Sequence, residues 1–492
     1  MFKSEFQCNL KDYPQQNYSE FIKGIIDSDQ TLENIFNGDQ GQFEEFKIYL
    51  KSKIFNDPNE IQQHLTNIYN QWNTQSKVVI KRIEIFRLIM LMYLGLLERN
   101  FSQGGFYIID MSSIKYTNNY ISKQKLKCFQ NYIKTFYLNS DAIQNDQLIF
   151  TKNTVNKEEF KKKFEQSIYQ NIDFEFTQLK NEDHQNSTVV DFADQNIGGL
   201  VLDTRNCAQE EIVMLIFPEA TVSMIFIPQM NETEAVLIEN LKKYSNYTGY
   251  EQSFNCQPSM TLQGNYNMLA IDAKPFYSEN QFTEKNIERE LIKCYAGFEI
   301  SLRNQPNCYI STGRWGCGIF RGNPYLKTLI QFLSFAIAVN QVSQQQSKII
   351  INCVNDQSLF NFGVQLKKLL GQKGVQLNLI NLKKSILYMQ NGINEQAFYI
   401  EGNNIISQIY TILTQDIQQI QKLRLENDDD VIQAQIDQEI KQVLVNAPII
   451  EENKEIKMLN NQEKKNRNYQ VIGVAIIFAI AVGVFTYKKV FK

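Results

Sequence analysis

The chain has 492 residues, of which 43% are hydrophobic and 12% aromatic, so it can form two or three domains with sizeable cores. This composition excludes a mostly disordered chain, a collagen-like repeat and a small disulfide-stabilised scaffold. The 50 Lys and Arg residues nearly balance 53 Asp and Glu residues, giving a net charge of -3. Because non-specific binding to nucleic acid needs a basic field, we do not expect nucleic-acid duplexes as partners.

Eight cysteines and two histidines limit the metal and nucleophile chemistry that this chain can support. No two cysteines are spaced as C-x-x-C, and His64 and His184 are distant in sequence. The sequence therefore predicts neither a zinc site nor a histidine-activated nucleophile, and we expect no metal and no cofactor. Free, buried thiols in a reducing compartment are the simplest interpretation of the cysteines.

Residues 1–140 have the apolar spacing of helices and no cluster of residues typical of a catalytic site. Shorter amphipathic helices are predicted over Tyr18–Ile26, Gln42–Lys51 and Asn59–Trp72. In Lys77–Asn100, apolar residues first recur every three to four positions and then surround the helix, as in a buried helix. We predict a helical accessory domain here.

Residues 141–400 alternate strand-like and helix-like runs, which favours a layered α/β domain. Helices are predicted over Thr283–Tyr295 and Tyr325–Gln344. The strand candidates are short apolar runs: Val189–Phe192, Leu215–Phe217, Val222–Ile227, Met268–Ile271, Tyr309–Thr312 and Ile349–Cys353.

The remaining residues divide into a helical segment with a polar tether, 401–468, and an apolar segment with a basic tail, 469–492. Val471–Tyr487 (VIGVAIIFAIAVGVFTY) is uncharged and would span roughly 26 Å as a helix, with lysines or arginines on both sides. We expect a single membrane anchor; a buried core helix is the alternative. The short span suits a mitochondrial membrane, with the bulk of the chain outside the bilayer and membrane-complex subunits as further partners.

The most informative block is DFADQNIGGLVLDTRNCAQEE, which runs from Asp191 to Glu211. A predicted strand ends, two glycines follow, and a Gln-Glu-Glu triplet opens a predicted helix. Glycines after a strand allow backbone N–H groups to approach an anion. Two adjacent carboxylates raise the pKa of one of them, which can then donate a proton near neutral pH. Alternatively, the two glutamates only stabilise the helix N-terminus.

Four later stretches strengthen the first interpretation. They are YSNYTGY (Tyr244–Tyr250), AIDAKPF (Ala270–Phe276), RELIKCYAGF (Arg289–Phe298) and STGRWGCGIFRGNPYLKTLIQ (Ser311–Gln331). In this order and spacing they resemble the catalytic domain of the poly(ADP-ribose) glycohydrolases, whose signature combines a glycine triplet, Q-E-E, Y-T-G-Y and a second glycine-rich segment. The resemblance covers about residues 180–400.

The resemblance implies a macrodomain-type α/β/α sandwich that hydrolyses ribose–ribose O-glycosidic bonds in poly(ADP-ribose) or ADP-ribosylated protein, without a metal. By position, Glu211 would be the general acid/base, Glu210 would hold ribose hydroxyls, and Asp191 would support the catalytic loop. Tyr250 would close over the substrate. The other implied substrate-binding residues are Gly198, Gly199, Asp194, Gln209, Gly316, Gly318, Phe320 and, near adenine, Glu182.

Several positions depart from the family pattern. Leu200 replaces the third glycine, Arg314 replaces an asparagine, Asp194 also replaces an asparagine, and Arg321-Gly322-Asn323 replaces G-G-D. Two hypotheses therefore stand. The chain is either an active, membrane-anchored glycohydrolase, or a catalytically impaired relative with a structural or ADP-ribose-reading role in a membrane complex.

Overall fold

The computed structural model describes residues 7–11, 18–54, 57–100, 109–166, 172–342 and 346–370, all of which belong to one compact unit. The α-helices with ten or more residues are α1 (Tyr18–Ser28), α3 (Gln40–Lys53), α4 (Pro58–Gln75), α5 (Arg82–Tyr93), α7 (Tyr120–Ile143), α8 (Lys157–Gln166), α11 (Glu284–Asn304), α12 (Pro324–Val342) and α13 (Gln357–Leu370). The shorter ones are α2 (Gln30–Glu33), α6 (Ser112–Tyr116), α9 (Gln209–Ile216) and α10 (Ser223–Phe226).

The strands form two sheets. A small antiparallel pair joins β1 (Gln7–Leu10) to β3 (Leu97–Asn100). The large sheet has the order β2-β4-β7-β8-β6-β9-β10-β5. Its members are β2 (Lys77–Lys81), β4 (Gln147–Thr154), β5 (Asp173–Thr177), β6 (Ser187–Asp191), β7 (Glu234–Thr248), β8 (Asn255–Ala270), β9 (Tyr309–Gly313) and β10 (Lys348–Asn352).

One half of the large sheet is antiparallel and the other half is parallel. The pairs β2–β4, β4–β7 and β7–β8 are antiparallel, whereas β8–β6, β6–β9, β9–β10 and β10–β5 are parallel. Parallel strands are normally buried on both faces, and every residue of β6 is indeed buried. The catalytic motifs that the sequence predicts follow strands of this parallel half.

Helices cover both faces of the sheet. Neighbouring residues of β6 point to opposite sides: Val189 lies in a core with α1, α3, α4, α5, α7 and α9, and Val190 lies in a core with α11, α12 and α13. This arrangement confirms the α/β/α layers that the resemblance implied. The first core also combines residues from before and after residue 140.

Three predicted elements are wrong in part. Lys77–Asn100 is helical only over α5, since Lys77–Lys81 alternates exposed and buried residues and pairs with β4 at the edge of the large sheet. Leu215–Phe217 lies at the end of helix α9, and Val222–Ile227 contains helix α10. Both runs are almost wholly buried, and a continuous apolar run does not distinguish a buried helix from a buried strand.

The predictions for 404–446, 450–468 and Val471–Tyr487 lie outside the described residues. Within the described ranges, no helix has the length and apolar character required to cross a membrane. The cysteines whose side chains are described carry free thiols, as predicted: Cys128, Cys207, Cys256, Cys294, Cys308, Cys317 and Cys353.

The topology brings both glycine-rich motifs to one edge of the sheet. Strand β6 ends at Asp191, before the first motif, and its parallel neighbour β9 ends at Gly313, before the second. Since the carboxyl ends of parallel strands lie at the same edge, the loops after β6 and β9 are neighbours. In open α/β sheets, ligands bind at this edge.

Candidate active site

The acid pair, Glu210 and Glu211, lies in the first turn of helix α9. Glu211 is the third residue of that helix, and its Oε2 accepts a hydrogen bond of 2.8 Å from the Ala208 backbone N–H. A glutamate at this position commonly caps its own helix in this way. The local sequence therefore fixes both the start of α9 and the direction of the Glu211 side chain.

The first glycine-rich loop closes onto both carboxylates. Glu210 Oε1 accepts a hydrogen bond of 2.7 Å from the Gly198 N–H, and its Oε2 accepts one of 2.9 Å from the Asp194 N–H. Glu211 Oε1 accepts one of 2.8 Å from the Leu200 N–H. Backbone donors from one loop thus orient the acid pair.

Glycine is required at two positions of this loop. A Cβ atom on Gly199 would lie 2.5 Å from Glu210 Oε2 and 2.6 Å from Glu211 Oε1, and its φ of +47° is in the left-handed region. A Cβ atom on Gly198, whose φ is +106°, would lie 2.7 Å from the Met224 side chain. The sequence prediction that these glycines allow close backbone approach is therefore explained by direct contacts.

Asp191 and Glu210 are the carboxyls whose protonation burial favours. Asp191 is fully buried, and neither of its carboxyl oxygens has a hydrogen-bond partner among the described residues. Burial, followed by the charge of Glu211, raises its pKa well above the usual value. Burial, followed by the charges of Asp191 and Glu211, does the same to the pKa of Glu210. Burial therefore favours the protonated forms of Asp191 and Glu210 beside the charge of Glu211.

Gln209 and Asp194 hold the backbone around the acid pair. The Gln209 side chain accepts a hydrogen bond from the Phe192 N–H and donates one to the Val190 carbonyl, so it ties α9 to the end of β6. Asp194 Oδ1 accepts a hydrogen bond of 2.9 Å from the Asn196 N–H. Their contact with substrate stays a prediction.

Tyr250 lies in the turn between β7 and β8 and is half exposed. Burial raises the pKa of its phenol, and the charges of Glu251 and Glu211 add to this effect. Glu211 is close enough for its charge to affect the Tyr250 phenol, whereas closure of Tyr250 over the substrate stays a prediction. The preceding Gly249, with φ of +76°, makes the turn possible.

Glu182 is buried beside the turn end of the same hairpin. It accepts a hydrogen bond of 2.5 Å from the Tyr247 hydroxyl, and the Lys180 ammonium lies 3.8 Å from the Tyr247 ring centroid. Glu182 therefore contacts the strand that leads to Tyr250. A role at adenine stays a prediction.

The second glycine-rich segment, residues 313–323, joins β9 to α12. Gly316 has φ of +69°, and a Cβ atom there would lie 2.5 Å from the Ala273 Cβ. By contrast, a Cβ atom on Gly318 would meet no other atom within 4 Å. Phe320 is partly buried and accepts a hydrogen bond of 2.9 Å from the Phe276 N–H through its carbonyl. The predicted residues thus form one loop with a packed base and an open tip.

A buried charge network supports this second segment, and the sequence reasoning missed it. Lys327 is ion-paired with Glu290, and its ammonium lies 4.1 Å from the Trp315 ring centroid. Arg289 pairs with Glu290 at 2.6 Å and also with Asp272. The available signal was the presence of charged residues in the otherwise apolar helical runs RELIK and PYLKTLI.

The network carries more positive than negative groups. Lys293 joins it through an ion pair of 2.6 Å with Asp272, so three cations face two carboxylates. Burial, followed by the charge of Arg289, lowers the pKa of Lys327. A buried excess of cations beneath glycine-rich backbone is suited to holding an anion.

The structure describes the surroundings of three of the substituted positions. The Leu200 side chain is 37% exposed, although its N–H binds Glu211. The Arg321 guanidinium lies 5.6 Å from the Tyr277 ring centroid. Arg314 is half exposed, forms an ion pair of 3.6 Å with Asp356 and lowers the pKa of Tyr250 by its charge, which places it at the rim of the cleft.

No set of three or more His, Cys, Asp or Glu residues in the described ranges is arranged to hold a metal ion. The chemistry that the arrangement offers is proton transfer by carboxyls beside a loop of backbone donors and a cationic support.

Residues 159–359 match the protein family described as poly(ADP-ribose) glycohydrolase, macro domain fold. The probable poly(ADP-ribose) glycohydrolase 2 of Arabidopsis thaliana is 30% identical over 192 residues, covering 30% of this chain and 37% of the relative. Poly(ADP-ribose) glycohydrolase 1 of Caenorhabditis elegans is 34% identical over 207 residues, covering 38% of this chain and 26% of the relative.

A solved structure of poly(ADP-ribose) glycohydrolase from Thermomonospora curvata aligns with a TM-score of 0.32 at 14% identity, covering 43% of this chain and 84% of that one. The aligned part of the chain spans well under half the length of the two curated relatives. The family match contains the acid pair and both glycine-rich segments. Residues 159–359 therefore belong to the poly(ADP-ribose) glycohydrolase family.

Proposed function

We propose that the protein hydrolyses ribose–ribose O-glycosidic bonds in poly(ADP-ribose), or in ADP-ribosylated protein, and releases ADP-ribose. The observation that carries this proposal is the acid pair: within a domain of this family, both carboxylates lie against Gly199 and are oriented by N–H groups of the same loop. An inactive pocket has no need to keep both carboxylates and the close backbone approach.

In the proposed reaction, the Glu211 carboxyl donates its proton to the leaving ribose oxygen as the glycosidic C–O bond breaks. The resulting Glu211 carboxylate then takes a proton from water, whose oxygen bonds to the oxocarbenium-like carbon. Glu210, whose pKa is raised by burial, forms a hydrogen bond with a ribose hydroxyl. Each cycle therefore consumes one water and restores Glu211.

Binding groups for the rest of the substrate surround the acid pair in this proposal. Tyr250, from the hairpin turn, covers the ribose, and residues 313–323 hold the diphosphate through backbone N–H groups above the cationic network. Arg314, at the cleft rim, contributes a bidentate contact to a phosphate.

The catalytically impaired alternative depends on Leu200, Arg314 and Arg321 filling the pocket. Leu200 is 37% exposed and the Arg321 guanidinium lies beside the Tyr277 ring, which supports an open pocket and therefore the active enzyme. Arg314 is close enough to Tyr250 for its charge to lower the pKa of the phenol. Binding of ADP-ribose without any release of it from the polymer would favour the reading role.

The decisive experiment measures ADP-ribose release from purified poly(ADP-ribose) by the full chain and by Glu211→Gln. We expect the variant to lose about 1,000-fold or more in kcat, because glutamine cannot transfer a proton. Glu45→Gln, at an exposed position of α3, is the matched control and retains full activity. An inactive wild-type chain, or an active Glu211→Gln variant, would refute the proposal.

We also propose that Val471–Tyr487 anchors the protein in a membrane, with a mitochondrial membrane as the first candidate. The uncharged run and its basic flanks support this proposal. Carbonate extraction of membranes from cells that express the full chain tests it, with two lysines placed inside the run as the control. Recovery of the unaltered protein in the extract would contradict the anchor.

A further inference from the structure

Helix α7, which lies before the residues that match the family, contacts both walls of the cleft. Asn119, at its start, donates a hydrogen bond to the Thr204 carbonyl in the loop after the glycines. Asn131, just over three turns later, donates to the Tyr244 carbonyl in the strand that leads to Tyr250. The helix therefore joins the acid loop to the tyrosine hairpin.

Lys125 is the residue of α7 that lies directly behind the acid loop. Its side chain is completely buried, and its ammonium donates hydrogen bonds of 2.7 Å to the Leu200 carbonyl and 2.8 Å to the Asp203 carbonyl. The N–H of the same Leu200 donates to Glu211. One residue thus connects a lysine of the helical region to the proposed general acid.

We infer that Lys125 is a positioning residue of the active site: it holds the Leu200 and Asp203 carbonyls, and the Leu200 N–H in turn holds Glu211 in its reactive orientation. The inference rests on the proposed function. It assigns a catalytic contribution to the helical region, for which the sequence predicted only an accessory role.

The contacts support positioning more than simple core stability. A lysine is rarely buried completely unless it is paired, and Lys125 uses its ammonium on two carbonyls of one short loop. Burial lowers the pKa of this ammonium, whereas Cys207, Glu211 and Asp203 raise it, which shows that the cation also faces the acid pair. Without this ammonium, the Leu200 carbonyl would keep only the hydrogen bond of 3.0 Å from the Asp203 N–H, and the loop would lose both of its bonds to Lys125.

The same contact explains why leucine can replace glycine at position 200. Because residue 200 is anchored through both its N–H and its carbonyl, the conformational freedom of glycine is unnecessary there, and a partly exposed side chain is tolerated. The substitution of the third glycine is therefore compatible with an ordered acid site.

The test compares Lys125→Met with Lys123→Met in the full chain. Lys123 is an exposed residue of the same helix and controls for the loss of one charge. We expect Lys125→Met to lower kcat on poly(ADP-ribose) about 10- to 100-fold while the Kd for ADP-ribose changes less than about threefold. Hydrogen exchange should accelerate in 198–204 and stay unchanged in α11.

Two results would overturn the inference. The first is a Lys125→Met variant with the kcat of Lys123→Met; the second is a parallel loss of ADP-ribose binding and kcat, which indicates general damage to the pocket. If Lys125→Met does not fold, Lys125→Gln, which keeps one neutral donor, is assessed by the same readouts. Because wild-type activity is measured alongside, failure of this inference is distinct from failure of the proposed function.

Discussion

The two glycine-rich loops leave the same edge of the sheet, yet they are built for opposite charges. The first loop directs its N–H groups at the carboxylates Glu210 and Glu211. The second rests on a buried network in which three cations face two carboxylates. One loop thus orients acids, and the other lies above a cationic support.

The difference shows how one fold separates proton transfer from anion binding. Carboxyls that are buried without cations retain protons, as the raised pKa values of Asp191 and Glu210 indicate. Carboxylates that are buried with cations form ion pairs instead, as Glu290 does with Lys327 and Arg289. The neighbours of each carboxyl, and not its burial alone, decide its chemistry.

The largest effect is expected from Glu290→Gln, which leaves Lys327 and Arg289 without one of their carboxylates. We expect the free energy of unfolding to fall by about 3–5 kcal/mol, because an uncompensated charge in the interior is costly. Chemical denaturation followed by circular dichroism measures it. Adding Lys327→Met should recover part of the loss. A Glu290→Gln protein as stable as the wild type would show that the buried cations do not depend on this carboxylate. The contrast drawn between the two loops would then be wrong.

Gly199→Ala examines the first loop alone. A Cβ atom at this position would displace both carboxylates, so we expect kcat for ADP-ribose release to fall about 100-fold. Gly318→Ala is the matched control in the second loop, where a Cβ meets nothing and activity should change less than about twofold. Equal losses in both variants would contradict the contacts described for Gly199.

Asp191→Asn gives the smallest effect and a defined pH dependence. Since the folded-state pKa of Asp191 lies above its unfolded value, the folded chain holds the proton more tightly, and stability is lost as the pH rises through the folded pKa. Asparagine cannot ionise, so the free energy of unfolding of the variant relative to the wild type should increase from about pH 4, near the unfolded-state pKa, to about pH 8. Denaturation curves at these two pH values measure the difference in the free energy of unfolding between the variant and the wild type. A wild type that gains stability relative to the variant toward pH 8 would contradict the prediction.

Much of the acid site could be predicted from local sequence. A Gln-Glu-Glu triplet at a helix start, preceded by glycines after a strand, encodes its geometry within about twenty residues. The parallel strands β6, β9 and β10 were recognisable for the same reason, because buried strands form short apolar runs between turn residues.

Of the long hairpin β7–β8, the sequence pattern predicts only the last part of β8, as the candidate Met268–Ile271. Much of it is polar and exposed, and its register shifts between Ile238 and Ser245, so no regular alternation identifies it. The sequence predicts helix for the edge strand Lys77–Lys81, because its three consecutive apolar residues are compatible with both the helical and the strand period.

The sequence by itself determined which residues form the acid pair, since capping and glycine contacts depend on neighbours a few positions away. Only the tertiary structure decided what surrounds the pair. Lys125 lies 75 positions before Leu200, and Lys327 lies 37 positions after Glu290. Such contacts depend on the order of strands in the sheet and on the helices packed against it. No local pattern of residues encodes that order.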